Sequence, residues 1–355
     1  MKQRKQTIYF RNRPYILSGF SIAGKKEGNG PMSSWFDRVI EDDTYGESTW
    51  EKSESKMLKT AMTEAVRKSG RSNDEIGAML SGDLLNQLMS SSFMARDMHI
   101  PFLGMYGACS TMTESLMLGS VLVDGGYSDN VIIGASSHYC TAERQFRMPL
   151  EHGNQRPPSA QWTATAAGAM LIAQKSDSDD TECSMIDADG DIHQLRKVRV
   201  ESGTIGKIID AGVKDSNQMG SAMAPAAIDT ILNHLEDTGR SMDYYDIVLT
   251  GDLGYTGKQI VIDLLEDAGI DRNTISNVYN DCGAMIYKPE QDTHSGGSGC
   301  GCSASVFAGY VYKQMMTGNI RRALIISTGA LLSTISPFQG ESIPGIAHAI
   351  SLESE

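Results

Sequence analysis

The alternation of apolar and polar residues along the chain predicts a helix followed by a strand, twice. Apolar residues recur at helical spacing at Met57 and Ala61, and a second set does so between residues 228 and 235. Such spacing places the apolar side chains on one face of a helix. Gly70 ends the first helix and Gly239 ends the second. A short apolar strand follows each glycine and runs into the tripeptide Gly-Asp-Leu, which indicates an α/β architecture with parallel or mixed strands.

The two copies also match residue by residue. Residues 70–84 recur at an offset of 169 as residues 239–253, with eight of the fifteen positions identical. Further along the chain, an offset of 193 aligns Cys109 with Cys302. Self-similarity of this length predicts a duplicated fold, with a cysteine at an equivalent place in each half.

The boundary between the halves is predicted in a polar stretch. Residues 176–182 consist only of Ser, Asp, Thr and Glu. The N-terminal half, which carries the first cysteine, is therefore predicted as residues 1–184 and the C-terminal half as residues 185–355. Just beyond this boundary, Asp187–Asp191 resembles a fragment of a calcium-binding loop, but its glycine is misplaced and Val198 stands where such a loop has Glu. An acidic surface turn is the prediction there.

Composition narrows the class of protein. The chain has 355 residues, of which 40% are hydrophobic and 21% are charged, as in a globular protein. Its formal net charge of -13 argues against nucleic-acid binding, because phosphate attraction needs a basic face. No apolar run approaches the roughly 18 residues of a membrane span, and no signal-peptide pattern follows the basic N-terminus. We therefore expect a cytoplasmic protein whose six cysteines are free thiols.

Cys109 is the leading candidate for a chemically reactive residue. It follows the glycine-rich segment 102–108 and precedes an apolar helix pattern that Gly125 ends, so it is predicted where a strand turns into a buried helix. Unpaired N–H groups and the helix dipole favour a thiolate there and lower a cysteine pKa. The same N–H groups can hold an oxyanion or a ligand carboxylate. An inert buried cysteine explains the spacing equally well, and the residues alone leave both interpretations open.

The segment Gly107-Ala108-Cys109-Ser110-Thr111 resembles the nucleophile segment of the thiolase superfamily, which includes the ketoacyl-ACP synthases. With the duplication, the resemblance extends over the whole chain. It implies a five-layered α-β-α-β-α fold of two pseudo-symmetric halves, with the site between the halves and two chains in a homodimer.

Longer segments resemble one branch of that superfamily, the stage V sporulation protein AD family. These segments are residues 78–87, 102–111, 136–138, 141–147, 215–216, 219–227, 280–283, 296–300, 341–344 and 346–348. The chain departs from the branch by an insertion near residues 185–198 and by His294, where an apolar residue is expected. The resemblance implies binding of dipicolinic acid (pyridine-2,6-dicarboxylic acid) and a part in its uptake into the developing spore. It further implies membrane-embedded stage V A sporulation proteins as partners, and a peripheral place on the forespore inner membrane.

The same resemblance implies that the chemistry of condensation has been lost. Condensing enzymes combine the cysteine with a histidine and with a further histidine or asparagine, which form an oxyanion hole and handle a proton. The corresponding stretches here contain Asp252 and Gly297 at those places, and a carboxylate cannot donate to an oxyanion unless it is protonated. One alternative is an acyltransferase in which Cys109 accepts the acyl group and His138 or His294 is the base. Another is an assembly role without a ligand.

Dipicolinate is a flat aromatic dianion, which suits cationic donors, backbone N–H groups and an apolar slot. Arg144 and Arg147 are three residues apart, so a helical turn puts them on one face, and His138 is a donor of adjustable charge. The alternative is that the two arginines pair with Glu143 or Glu151 on a solvated face. The predicted ligand-binding residues are Cys109, His138, Arg144, Arg147, Gly297 and Ser298.

Further candidate site residues are Asp83, Asn86, Asp252, Cys302 and His294. Asp83 and Asp252 follow equivalent strands of the two halves and are predicted to cap the turns there, with a shared Ca²⁺ as the alternative. No cofactor or resident metal is predicted, because Cys300-Gly301-Cys302 is too tight for ordinary zinc spacing. Binding of Ca²⁺ together with dipicolinate is left open.

Overall fold

A computed structural model describes residues 5–146, 156–174, 184–186 and 192–355. Its strands are β1 (Thr7–Tyr9), β2 (Tyr15–Ala23), β3 (Arg38–Val39), β4 (Ala78–Gly82), β5 (Phe102–Gly104), β6 (Asn130–Ser137), β7 (Trp162–Thr163), β8 (Ala166–Ala173), β9 (Ser184–Ile186), β10 (Ile192–Gln194), β11 (Val198–Thr204), β12 (Ile247–Thr250), β13 (Tyr279–Asp281), β14 (Gly297–Ser298), β15 (Arg322–Ala330) and β16 (Gly345–Ser354). Its α-helices are α1 (Lys25–Gly28), α2 (Trp50–Lys68), α3 (Met89–Met98), α4 (Thr111–Asp124), α5 (Tyr139–Phe146), α6 (Met219–Thr238), α7 (Gly254–Asp267), α8 (Arg272–Val278), α9 (Cys282–Met285), α10 (Cys300–Val306) and α11 (Tyr312–Met316).

Two sets of five strands have the same order and the same directions. The order is β5-β4-β6-β8-β2 in the first set and β13-β12-β15-β16-β11 in the second. In each set the first three strands are parallel and the next two pairings are antiparallel. Pairing of Ile16 with Val198 and of Tyr15 with Arg199 joins the two sets into one hydrogen-bonded path. The predicted duplicated fold is confirmed by this repeated topology.

The helices lie on and between the two sets of strands. α2 and α3 cover the outer face of the first set, and α6 and α7 cover the outer face of the second. α4 packs in the middle, against β4 and β6 on one side and against β15 and β16 on the other. α10 lies beside it, against β6 and β8. The layers therefore follow one another as α-β-α-β-α, as the resemblance implied.

An apolar core fixes the middle layer in place. Met112 and Leu116 of α4 meet Ile133 of β6 and Ile325 of β15 in one buried cluster. Separate clusters lie under α2 and under α6 on the two outer faces. Because apolar side chains surround α4 and α10, the residues at the N-termini of these two helices have fixed positions between the halves.

Local chemistry sets the helix ends. Thr49 Oγ1 accepts a hydrogen bond from Lys52 N over 3.3 Å at the start of α2. Gly70 follows the other end of α2 with a φ of 73°, and Gly239 ends α6 with a φ of 65°. This left-handed region favours glycine, so both predicted helix ends are confirmed.

The boundary between the halves at residue 184 stays a prediction. The last strand of the first set ends at Ala173 and the first strand of the second set begins at Val198. Between them, β9 and β10 form an antiparallel pair within the region of the expected insertion. The acidic stretch 176–182 and the calcium-loop-like Asp187–Asp191 lie outside the described residues.

The two longest helices of the described chain, α2 and α6, have 19 and 20 residues. Across the described ranges, no helix combines the length and the apolar character needed to cross a membrane.

The middle layer depends on a close approach of β8 to α10. A Cβ at Gly168 would lie 2.2 Å from the carbonyl oxygen of Ala304. We predict that Gly168→Ala lowers the free energy of unfolding by about 1–3 kcal/mol, because the backbones have to move apart. Urea unfolding followed by circular dichroism measures this change.

Gly126→Asn is the control for that variant. Its φ of 71° suits Asn, and no described atom lies within 4 Å of the added Cβ. Equal losses of stability for the two variants would show that backbone crowding at α10 is not the cause.

Candidate functional site

A cavity of about 380 Å³ lies beside Cys109, and both halves contribute to its walls. Lining residues from the first half include Leu84, Asn86, Tyr106, Cys109 and Phe146, and those from the second half include Met219, Ser298, Gly299 and the segment 330–335. Most of these side chains are apolar. Among the described lining residues none is Lys, Arg, His, Asp or Glu.

A sharp turn positions Cys109. The residue lies in the short 3-10 turn Ala108–Ser110 at the start of α4. Ala108 has a φ of 51°, a left-handed conformation that non-glycine residues rarely adopt. Ser110 Oγ donates a hydrogen bond to the carbonyl oxygen of Gly107 over 2.7 Å. The predicted place of Cys109, between a strand and a buried helix, is confirmed, and its side chain is only 6% exposed.

Asp252, which follows β12, lies against the Cys109 thiol. Its Oδ1 accepts a hydrogen bond from Thr328 Oγ1 over 2.7 Å, and its Oδ2 accepts one from Gly299 N over 2.8 Å. The same carboxyl group lies close enough to the Cys109 thiol for its charge to act on the thiol. Burial raises the pKa of Asp252 to about 7. The cysteine of the first half thus lies beside a carboxyl group that is held by hydrogen bonds from two further segments of the second half, at Gly299 and Thr328.

The environment keeps Cys109 protonated. Burial raises the pKa of the thiol well above its usual value, and the charge of Asp252 raises it further, while the N–H group of Gly299 acts in the opposite direction. Of the two interpretations left open for Cys109, the thiolate with a lowered pKa is therefore wrong, and the inert buried cysteine is favoured. Burial and the nearby carboxyl of Asp252 both disfavour the thiolate that the start of α4 alone would favour.

The two candidate bases are held away from the cavity lining. The Nε2 atom of His138 lies 2.8 Å from the carbonyl oxygen of Asp43, and its Nδ1 accepts a hydrogen bond from a backbone N–H two residues later. The Nδ1 atom of His294 lies 2.8 Å from a backbone carbonyl oxygen, and its Nε2 lies 3.0 Å from Asp292 Oδ1. Neither ring lines the cavity, so neither is placed as a general base for Cys109.

Arg144 lies on α5 with its side chain turned to the surface. The guanidinium pairs with Glu51, lies 5.5 Å from the ring of Trp50, and is 45% exposed. The structure thus places Arg144 on a solvated face, beside the cavity lining and not within it. Arg147 lies outside the described residues, and its role as a ligand-binding residue stays a prediction.

β14 brings Ser298 to the cavity. Gly297 and Ser298 pair in parallel with Trp162 and Thr163 of β7, and the carbonyl oxygen of Gly297 accepts a hydrogen bond from Gln161 Nε2 over 2.7 Å. Ser298 is 1% exposed, and its Oγ has no hydrogen-bond partner among the described atoms. A buried hydroxyl without a partner costs about 1–3 kcal/mol. A polar atom of a ligand in the cavity would therefore be stabilised at this hydroxyl.

Asp83 and Asn86 follow β4, as Asp252 follows β12. Asp83 is buried and accepts hydrogen bonds from Leu85 N over 2.8 Å and from the N and Oγ of Ser91 over 2.7 Å each. It caps the turn, as predicted, whereas Asp252 reaches the cysteine. Asn86 lines the cavity. No group of three or more His, Cys, Asp or Glu side chains within the described part of the chain could hold a metal ion.

The second half contributes wall residues that the sequence analysis missed. The segment 330–335, which begins at the last residue of β15, lines the cavity, as does Met219 at the start of α6. The duplication could have indicated the segment 330–335. The end of β15 is equivalent to the end of β6, and the candidate residue His138 follows β6. Cys302, the counterpart of Cys109, is fully buried in the middle core cluster and does not line the cavity.

Comparisons with known proteins give both a family and a fold. The profile of the stage V sporulation protein AD family matches residues 4–353. The chain is 41% identical over 349 residues to stage V sporulation protein AD of Bacillus subtilis (strain 168). The alignment covers 98% of this chain and 97% of that protein.

Two solved structures illustrate the fold. Cerulenin-bound OleA of Xanthomonas campestris matches with a TM-score of 0.60 and 12% identity, over 99% of this chain and 100% of that chain. The 3-oxoacyl-[acyl-carrier-protein] synthase III of Aquifex aeolicus VF5 matches with a TM-score of 0.54 and 12% identity, over 96% and 99% of the two chains. At this identity the likeness shows the fold alone, which is the thiolase-like fold that the nucleophile segment implied.

We predict that the Cys109 thiol of the folded protein is alkylated by iodoacetamide at least about tenfold more slowly than free cysteine near neutral pH, because a protonated, buried thiol is a poor nucleophile. Timed alkylation followed by peptide mass spectrometry measures the rate. The same protein unfolded in urea is the control and should react as free cysteine does. Rapid alkylation of Cys109 in the folded protein would contradict the raised pKa.

Proposed function

The chain belongs to the stage V sporulation protein AD family, a sporulation family on a thiolase-like scaffold, and from that premise we propose that it binds dipicolinic acid and serves the uptake of this acid into the developing spore. The observation that carries the proposal is a cavity of about 380 Å³ beside a cysteine that stays protonated. A cavity at the place of a condensing site persists while the groups for condensation are replaced, which favours binding over catalysis.

The lining of the cavity supports an aromatic ligand. Leu84, Phe146 and Met219 offer apolar contacts, and Ser298 Oγ offers a hydroxyl without a partner among the described atoms. Small-molecule sites commonly combine apolar walls with a few polar groups that fix the orientation of the ligand. A flat pyridine ring with polar substituents matches that combination.

Two carboxylates in this cavity need a compensating positive charge, because burial of an unpaired anion is costly. The described lining has no cationic side chain. We propose that the charge comes from Arg147, which follows the cavity residue Phe146 in the sequence, or from a Ca²⁺ ion bound together with the acid. His138, already hydrogen-bonded at both ring nitrogens, would contribute only after rearrangement.

Acyl transfer at Cys109 is the second candidate function. It is favoured by the position of Cys109 at a helix start that faces the cavity. Acyl transfer needs a thiolate or an adjacent base. Among the described residues, the surroundings of Cys109 raise its pKa and contain no imidazole in the cavity lining. Ligand binding without a covalent step is therefore the better-supported function.

The proposed setting of the protein is the forespore inner membrane. Family membership supports a role beside the membrane-embedded stage V A sporulation proteins. A charged acid crosses hydrocarbon only through a protein path, because ionised groups are costly there. We propose that this chain hands the acid to those partners from a peripheral position.

Two copies of the chain are proposed to pair through β5. Within the described sheet, β5 is an end strand that pairs with β4, and Leu103 on it is 53% exposed. A free sheet edge with an exposed apolar residue is a surface for pairing with another strand. A homodimer that continues the sheet across this edge would cover Leu103.

We predict saturable binding of dipicolinic acid, measured by isothermal titration with and without Ca²⁺, and no comparable binding of isophthalic acid, which lacks the ring nitrogen. Ser298→Ala should weaken binding by roughly threefold to tenfold, because one hydrogen bond is lost. Ser305→Ala is the matched control, since Ser305 is equally buried but bonds within its own helix over 3.2 Å. Equal affinity for the two acids, or no binding at millimolar ligand, would contradict the proposal.

We predict that Leu103→Lys shifts the chain from dimer to monomer, because a charge at the centre of a paired edge is left buried. Light scattering coupled to size-exclusion chromatography gives the mass. Ile208→Lys, at a side chain 61% exposed in the second half, is the control and should leave the mass unchanged. A dimer that survives Leu103→Lys would place the interface elsewhere.

A further inference from the structure

We propose that the groove between α2 and α3 is an entrance that collects the anionic ligand and steers it toward the cavity beside Cys109. The groove has a volume of about 650 Å³. Its basic lining residues are Lys52, Lys56, Lys59 and Arg96, and its acidic lining residues are Glu47, Glu51 and Asp97. Basic groups thus outnumber acidic ones in the groove, although the chain as a whole carries a net charge of -13.

The ion pairs within the groove leave positive charge uncompensated. Asp97 is shared between two cations, with 3.2 Å to Lys59 Nζ and 3.0 Å to Arg96 Nε. Lys52 Nζ lies 3.4 Å from Ser48 Oγ and has no carboxylate within ion-pair distance in the described part of the chain. The side chain of Arg96 is 66% exposed. An anion in solvent therefore meets exposed cationic side chains here that outnumber the carboxylates of the groove by one.

The groove and the cavity are neighbours through a third hollow. This smaller cavity of about 220 Å³ shares Glu51 and Met89 with the groove. It shares Asn86 with the cavity beside Cys109. The three hollows therefore share wall residues in series, from the groove beside α2 to the proposed ligand cavity.

Arg144 stands in the middle of this series. It lines the smaller cavity, pairs with Glu51, and lies 5.5 Å from the ring of Trp50. A ligand carboxylate offers Arg144 the same acceptor geometry as Glu51 does. The ligand can therefore replace Glu51 on Arg144 during its passage, which gives this arginine a role in entry although it does not line the cavity.

This inference rests on the proposed function and makes a kinetic claim. A positive approach surface raises the rate of association of an anion and changes its dissociation little. Salt screens the effect, because the Debye length falls to about 3 Å near 1 M ionic strength.

The test is stopped-flow tryptophan fluorescence as dipicolinate without Ca²⁺ binds the full chain. Lys52→Glu reverses one charge in the groove. Lys207→Glu makes the same change in the second half, at a side chain that pairs with Asp229 over 3.8 Å, and is the control. We expect Lys52→Glu to lower the association rate constant by about threefold to tenfold at low salt, with dissociation unchanged within about twofold and the difference lost near 1 M salt. Lys207→Glu should associate as the wild type does.

Equal association rate constants for the two variants, or a change confined to the dissociation rate constant, would overturn the proposed role of the groove in ligand entry. The proposed function would then still stand. Binding that requires the uncharged calcium chelate would also overturn the role of the groove, because an uncharged ligand is not steered. If the wild type binds no dipicolinate in the titration, the proposed function itself fails, and the entrance fails with it.

Discussion

The burial of the Cys109 thiol beside the carboxyl group of Asp252 is the constraint on which the chemistry of the site depends. A neutral imidazole beside a cysteine accepts its proton and then stabilises the thiolate as a cation. A carboxyl group accepts a hydrogen bond from the thiol, but its negative charge opposes thiolate formation. Asp252 is itself fixed by Thr328 and Gly299, so it cannot easily turn away. The same helix start that would activate a cysteine therefore holds a protonated thiol.

The duplication explains how these groups meet. An aspartate follows each of the equivalent strands β4 and β12, and the two helices of the middle layer begin between the two sets of strands. Asp83 accepts hydrogen bonds from Leu85 and Ser91 of its own half, whereas Asp252 lies beside the cysteine of the other half. A symmetric scaffold thus carries an asymmetric site. Asp83 stabilises a turn, whereas Asp252, in addition to burial, raises the pKa of the Cys109 thiol.

The repeat made much of this fold predictable. Eight identities in fifteen residues and the glycines after two amphipathic helices indicate two copies of one α/β unit, and the position of Cys109 follows from the glycine-rich segment before it. The raised pKa of Cys109 was not predictable in the same way, because its causes are the burial of the thiol between the two halves and the nearby carboxyl of Asp252, a residue of the other half. For Arg144, the sequence analysis offers a solvated face as the alternative but misses the ion-pair partner, for a related reason. Its partner Glu51 belongs to a helix distant in the sequence, and helical spacing alone cannot show which face a neighbouring helix covers.

The most direct test of the account is a mass measurement on the intact protein after incubation with acetyl-CoA and longer acyl-CoA thioesters, followed by peptide mapping. Ligand binding in the cavity without a covalent step is expected, since the thiol of Cys109 stays protonated and no described imidazole lines the cavity. We predict an unmodified mass with every donor. A stoichiometric thioester on Cys109 would contradict it and would make the cavity the acyl site of a transferase.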